Sequence, residues 1–183
     1  PPNAHLALAT RAEPRLPRAL LVGPEVLRVD EATLALSDEE GRELLMMLDP
    51  DREESSVTAV VADAEGWPAG LAMAARSSPT GHPGATDGDP LNAYLAATVL
   101  DDEPPEVQRF LVATSVLDSF TPELAEAVSG EQNARAIIAG LLDNHHFTVA
   151  LPDEDGRYRY LHLVAAFLRR RLERTDPKHL AEL

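Results

Sequence analysis

Between Ala134 and Leu172 the spacing of apolar residues changes from a period near 3.6 to a period of 2 and back again, and few small folds accommodate that order. Ala134, Ile137, Ile138, Leu141 and Leu142 make a helical stripe, because residues three and four apart share a helix face. Phe147 to Leu151 and Arg157 to Leu161 read as strands on either side of Pro152-Asp153-Glu154-Asp155-Gly156, a connection with hairpin turn residues. Leu163, Val164, Phe167, Leu168 and Leu172 then return to helical spacing. Helices followed by a hairpin and a closing helix are the order of a winged-helix variant.

The sequence before this unit is also mostly helical in pattern. Ser37-Asp38-Glu39-Glu40 is a capping box opening a helix with Leu44, Leu45 and Leu48, and Asp49-Pro50 stops it. Val57, Val60, Val61 and Ala64 mark a second helix, and Pro68 begins a third turn of helix carrying Leu71, Met73 and Ala74. Residues 77–90 are rich in Pro, Gly, Ser, Thr and Asp without apolar periodicity, which predicts a linker. Beyond it, Leu91 to Leu100 is helical in pattern. Pro104-Pro105 starts a helix with Val107, Phe110 and Leu111 on one face, and Thr121-Pro122 caps another that ends at Gly130. Leu6 to Thr10 and Val26 to Val29 read as short buried strands, better suited to the interior of a parallel sheet than to a natural beginning, so the chain is expected to be a piece of a longer protein.

Composition narrows the functions open to such a chain. Sixteen Lys plus Arg stand against 31 Asp plus Glu, a formal charge of −15, which opposes sustained contact with a phosphate backbone. No cysteine is present, so thiolate chemistry and thiolate metal sites are excluded. The only lysine is Lys178, with no Gly-rich turn before it; a phosphate-binding loop needs both. The chain is therefore not expected to be an enzyme alone. No apolar run approaches the roughly 20 residues that span a bilayer, so no membrane partner is expected, and cytoplasm is the default compartment. No metal is expected: His145 and His146 are adjacent, so they point to opposite sides of an extended segment and cannot join His162 at one ion.

Three stretches together resemble the STAND signalling ATPases, in particular bacterial transcriptional regulators of the maltose-activator and LuxR type. His5-Leu6-Ala7-Leu8-Ala9-Thr10-Arg11-Ala12-Glu13-Pro14 is similar to the strand that ends in the family's sensor arginine. Glu65-Gly66-Trp67-Pro68-Ala69-Gly70-Leu71 is similar to a Gly-Trp-x-x-Gly-Leu signature and to the Gly-x-Pro motif of related switches. Pro104 to Leu117, together with Arg157-Tyr158-Arg159-Tyr160-Leu161-His162-Leu163, resembles the winged-helix segment running into a Tyr-His-His-Leu motif. The first histidine of that pair is here Leu161, which cannot donate to a phosphate.

The resemblance implies a mainly α fold with minor β. Residues 1–36 would carry residual strands of a parallel α/β ATPase sheet, 37–76 a helical lid, 77–90 a linker and 91–183 a winged-helix domain. It implies a regulatory piece of an ATP- or ADP-dependent switch in which Arg11 meets the terminal phosphate, Trp67 and Pro68 shape the adenine wall, and His162 lies near the domain interface. ATP or ADP would be held by the intact parent protein, with none bound tightly by this piece. The implied partners are the upstream nucleotide-binding half and the downstream domains of the same protein, with self-association on activation. The residues themselves also favour plainer roles: a lone Trp is usually core, and Pro68 is also an ordinary helix-start proline. The basic cluster Arg169, Arg170, Arg171 and Arg174 suits a helix C-terminus with stems over apolar surface. Two rivals remain: a protein-interaction winged helix without nucleotide dependence, and a directly DNA-binding one. The second is opposed by Glu123, Glu126 and the lone Arg135 where a basic recognition helix would be needed.

Overall fold

The computed structural model describes residues 6–10, 16–17, 26–77, 89–143, 147–152 and 156–175. After a four-residue helix α1 (Glu31–Leu34), helices α2 (Asp38–Leu48), α3 (Glu54–Ala64) and α4 (Pro68–Ala75) pack on one another. The capping box at the start of α2 is formed: Glu40 N donates to Ser37 Oγ at 3.3 Å, and Ser37 N donates to Glu40 Oε2 at 2.9 Å. Two otherwise orphaned amides of the first turn are thereby satisfied. Val57, Val60, Val61 and Ala64 of α3 are all buried, with Leu45 of α2 and Leu71 and Ala74 of α4.

A buried cation ties this helical group together where no periodicity signals it. The Arg52 side chain is 1% exposed. Its Nε donates to Asp49 Oδ2 at 2.8 Å, and its Nη2 reaches the carbonyls of Ala74, Ala75 and Ser77 at 3.3 to 3.4 Å. The last turn of α4 leaves carbonyls short of helical partners, and one guanidinium nitrogen reaches two of them, at Ala74 and Ala75, and the Ser77 carbonyl just past the helix.

Helix α5 (Pro90–Leu95) runs directly into a π-helical turn (Ala96–Asp101), so the helical stretch expected over Leu91–Leu100 is one continuous run with a widened end. Helices α6 (Pro105–Thr114), α7 (Pro122–Ser129) and α8 (Ala134–Asp143) follow, then strands β1 (Thr148–Ala150) and β2 (Tyr158–Tyr160), then α9 (His162–Thr175). The strands are antiparallel with Thr148 opposite Tyr160 and Ala150 opposite Tyr158. Phe120 adds a rung that no local pattern signals. Its N–H donates to Tyr158 O at 2.8 Å and its carbonyl accepts from Tyr158 N at 2.9 Å, so the loop after α6 edges the hairpin. The fully buried Phe120 ring lies 5.2 Å from Tyr160 and 6.3 Å, edge-on, from Phe110.

Tyr160 is nearly fully buried, and its hydroxyl lies 2.7 Å from Thr114 Oγ1. Thr114 gives its one proton to the Phe110 carbonyl at 2.7 Å, so the Tyr160 hydroxyl is the donor of the pair. Burial pushes the Tyr160 phenol above its ordinary pKa.

One contiguous core runs from Leu45 through Phe110 and Phe120 to Leu168, so the helices before residue 77 and the winged helix share an interior. The mainly α fold with minor β stands. The residual sheet strands expected at Leu6–Thr10 and Val26–Val29 do not form: neither stretch is a strand, and Leu6, Leu8, Val26, Leu27 and Val29 are exposed. A parallel strand satisfies its backbone only between neighbours and hides its apolar faces only under helices. The one sheet among the described residues is β1–β2, so the apolar pattern of these runs has nothing to pair with. Most of the 77–90 linker lies outside the described residues, as do Arg11, His145, His146 and Lys178.

Candidate functional site at the joint between lid and winged helix

The turn from α3 to α4 is built by Glu65, Gly66 and Trp67, and each is held there by a specific constraint. Glu65 ends α3 in the left-handed region at φ 49°. Gly66 follows at φ 77°, and a Cβ there would stand 2.8 Å from the Leu36 carbonyl oxygen, so only glycine fits without displacing backbone. The Gly66 carbonyl accepts from Leu36 N at 2.9 Å. Trp67 is the N-cap residue of α4 and Pro68 its first residue, where a missing N–H costs nothing.

Gly70 sits one turn into α4 directly under the indole. A Cβ at that position would lie 2.0 Å from Trp67 Cε3. The ring is also in contact with Phe147, at a centroid distance of 4.8 Å, and with Tyr94, at 5.9 Å. The Gly-Trp-x-x-Gly-Leu signature thus has a physical account in this chain. One glycine makes a left-handed turn, the other clears space for a tryptophan that reaches across to α5 and the start of the wing, and Leu71 is buried beneath.

Glu65 makes the polar half of the same joint. Its Oε1 accepts from Arg159 Nη2 at 2.6 Å; its Oε2 accepts from the backbone N–H of His162 at 2.8 Å and lies 3.2 Å from His162 Nδ1. His162 opens α9, so the carboxylate also meets the positive end of that helix. Of the residues expected at a nucleotide site, Trp67, Pro68 and His162 come together at this joint, while Arg11 lies outside the described residues. Sequence reasoning does not find Glu65, Arg159, Tyr94 and Phe147 as site residues. The Glu65–His162 bond spans 97 positions, which no local pattern reports.

Leu161, in the place of the first histidine of the Tyr-His-His-Leu motif, packs against the core, and its N–H donates to the Phe147 carbonyl at 3.0 Å. On α8, where a DNA-reading winged helix carries its recognition residues, Arg135 is paired with Glu123, and Ala136, Ala139 and Asp143 are exposed. In the α9 cluster, Arg169 Nε donates to the Ser115 carbonyl at 2.6 Å and its Nη2 meets Asp118 at 2.9 Å. Its guanidinium serves as a cap for the end of α6, a local structural role. An open groove of ≈ 330 Å³ between α6 and α8 is lined by Glu103, Glu106, Val107, Glu131 and Ile137 among others, and none of the expected site residues contributes to it.

A hairpin bridged to the loop after the first helix of a three-helix unit, closed by a last helix, is the winged-helix arrangement, and the comparison with known families meets it at the same place. Residues 96–180 match the family described as MalT winged helix domain. Over these residues the chain is similar to that family. The likeness to full-length proteins extends further toward the amino end. The chain is 31% identical over 173 residues to the serine/threonine-protein kinase PknK of Mycobacterium tuberculosis strain H37Rv, covering 90% of this chain and 16% of that protein. It is 26% identical over 184 residues to the HTH-type transcriptional regulator MalT of Klebsiella pneumoniae strain 342, covering 94% of this chain and 20% of that protein. The chain therefore spans a fifth or less of the length of these curated relatives. No helix among the described residues is long and apolar enough to cross a membrane.

Proposed function

We propose that the chain is a regulatory segment of an ATP- or ADP-dependent switch in a bacterial signalling or transcription-regulating protein, and that it couples nucleotide state to activation without being catalytic. The observation that carries this reading is the joint itself. Trp67 and Pro68 on one side and His162 on the other meet through Glu65 in a single cluster, and a nucleotide held by upstream residues beside that cluster would favour one arrangement of lid and wing over another. A ligand shifts such an equilibrium only through differential contacts with its two states. Arg11 would supply charge to the terminal phosphate in the intact parent, where the upstream nucleotide-binding half and downstream domains would be its partners and the active form would self-associate. Likeness to a regulator, MalT, and to a kinase, PknK, supports a regulatory segment reused in proteins of different output.

The second reading, a protein-interaction winged helix with no nucleotide dependence, is favoured by Leu161, which is packed against the core where a phosphate-contacting histidine would stand. Calorimetric titration of ADP and ATP into the parent protein separates the two. Micromolar binding that weakens tenfold or more in Arg11→Ala supports the switch. Absence of binding both in the native protein and in Leu161→His leaves the interaction module. Direct DNA binding is disfavoured by the paired Arg135 and the neutral face of α8.

A further inference from the structure

Among the described residues, two non-glycine residues have positive φ, Glu65 at 49° and Phe147 at 55°, and they sit on opposite sides of the same joint. L-residues enter the left-handed region at a steric cost, and such conformations persist where surrounding contacts over-determine them. Here the contacts are identifiable. The Glu65 carboxylate is held by Arg159 and by the first amide of α9. The Phe147 ring is held against Trp67, and the Phe147 carbonyl accepts from Leu161 N. Each strained backbone is thus pinned by the element across from it.

We infer that Glu65, Arg159 and the Trp67–Phe147 contact form a strained clasp that fastens α3 and α4 to the wing, and that the two parts separate there as one cooperative local event. The clasp needs no nucleotide and does not depend on the proposed switch. Loss of either half relaxes the backbone that the other half holds, so the joint has two arrangements, fastened and released, with few between. Elsewhere among the described residues no non-glycine residue has a positive φ, which is why opening concentrates at this place.

Trp67 is the sole tryptophan of the chain and reports the clasp directly. In the full chain, Glu65→Gln and Arg159→Gln should each raise the acrylamide quenching constant of Trp67 about threefold with unchanged far-UV circular dichroism, and the double variant should go little further, because the two residues act as one unit. The amides of Leu161 and His162 should exchange about tenfold faster while those of Phe110 and Leu111 keep their native protection. Native quenching and exchange in both single variants would overturn the inference. So would equal acceleration at Phe110 and Leu111, which signals loosening of the whole molecule.

Discussion

Gly70→Ala sets two well-measured effects against each other. Gly70 lies inside α4, and an interior helical Gly→Ala change on its own stabilises by about 1 kcal/mol. The new Cβ, however, would stand 2.0 Å from Trp67 Cε3 and 2.6 Å from Cδ2 and Cζ3, inside the van der Waals radius of a flat ring with few ways to move. That ring is braced by Phe147 and Tyr94, so relief requires either displaced backbone or an indole swung out of the joint. Overpacking costs about 1–3 kcal/mol. Separating the indole from the Phe147 and Tyr94 rings would add about 0.5–1.5 kcal/mol for each pair. Subtracting the propensity gain leaves a net destabilisation of roughly 1–5 kcal/mol from these ranges. Denaturant unfolding followed by circular dichroism measures it, and a red shift of Trp67 emission should accompany it. In a Trp67→Leu background the clash is gone, and the same Gly70→Ala change should become neutral or stabilising. A Gly70→Ala protein as stable as the wild type, or an equal cost in both backgrounds, would refute the close-approach account.

Arg52→Ala should destabilise by about 2–4 kcal/mol in the same assay, since it removes a buried donor shared by the Ala74, Ala75 and Ser77 carbonyls and leaves Asp49 without its cation. Tyr160 gives the pH dependence. Its folded-state pKa lies above the ordinary 10.0, so the stability tied to the protonated phenol is complete below pH 10 and is lost as pH rises beyond it. Thermal melts from pH 8 to 11.5 should show an alkaline fall in the wild type that flattens in Tyr160→Phe, and parallel profiles would remove Tyr160 as its cause.

The helices and the wing were legible because their information is local. A capping box, prolines at first helical turns and apolar stripes at three and four residues each act within one or two turns, and Ser37, Pro68, Pro105 and Pro122 stand where those signals put them. The strand readings at Leu6–Thr10 and Val26–Val29 failed for the complementary reason. A short apolar run specifies burial, while its secondary structure depends on partners outside the run itself. The same limit hid the Phe120 bridge and Arg52, whose carbonyl partners lie 22 to 25 residues away.

The joint shows how residues with a folding role would carry a regulatory one in the switch proposed above. Gly66 and Gly70 are required by geometry, Trp67 by packing and Pro68 by its place at the start of α4, so these residues need no ligand to account for them. Glu65 is different in kind. A C-cap in the left-handed region is better filled by glycine or asparagine, and a glutamate there costs stability locally while giving α3 a carboxylate that reaches Arg159 and the first amide of α9. A residue that weakens its own turn to fasten a distant element sets the strength of a junction. Replacing Glu65 by glycine should therefore favour the turn itself and weaken the attachment of the wing, and this division of effects is what a regulatory joint requires.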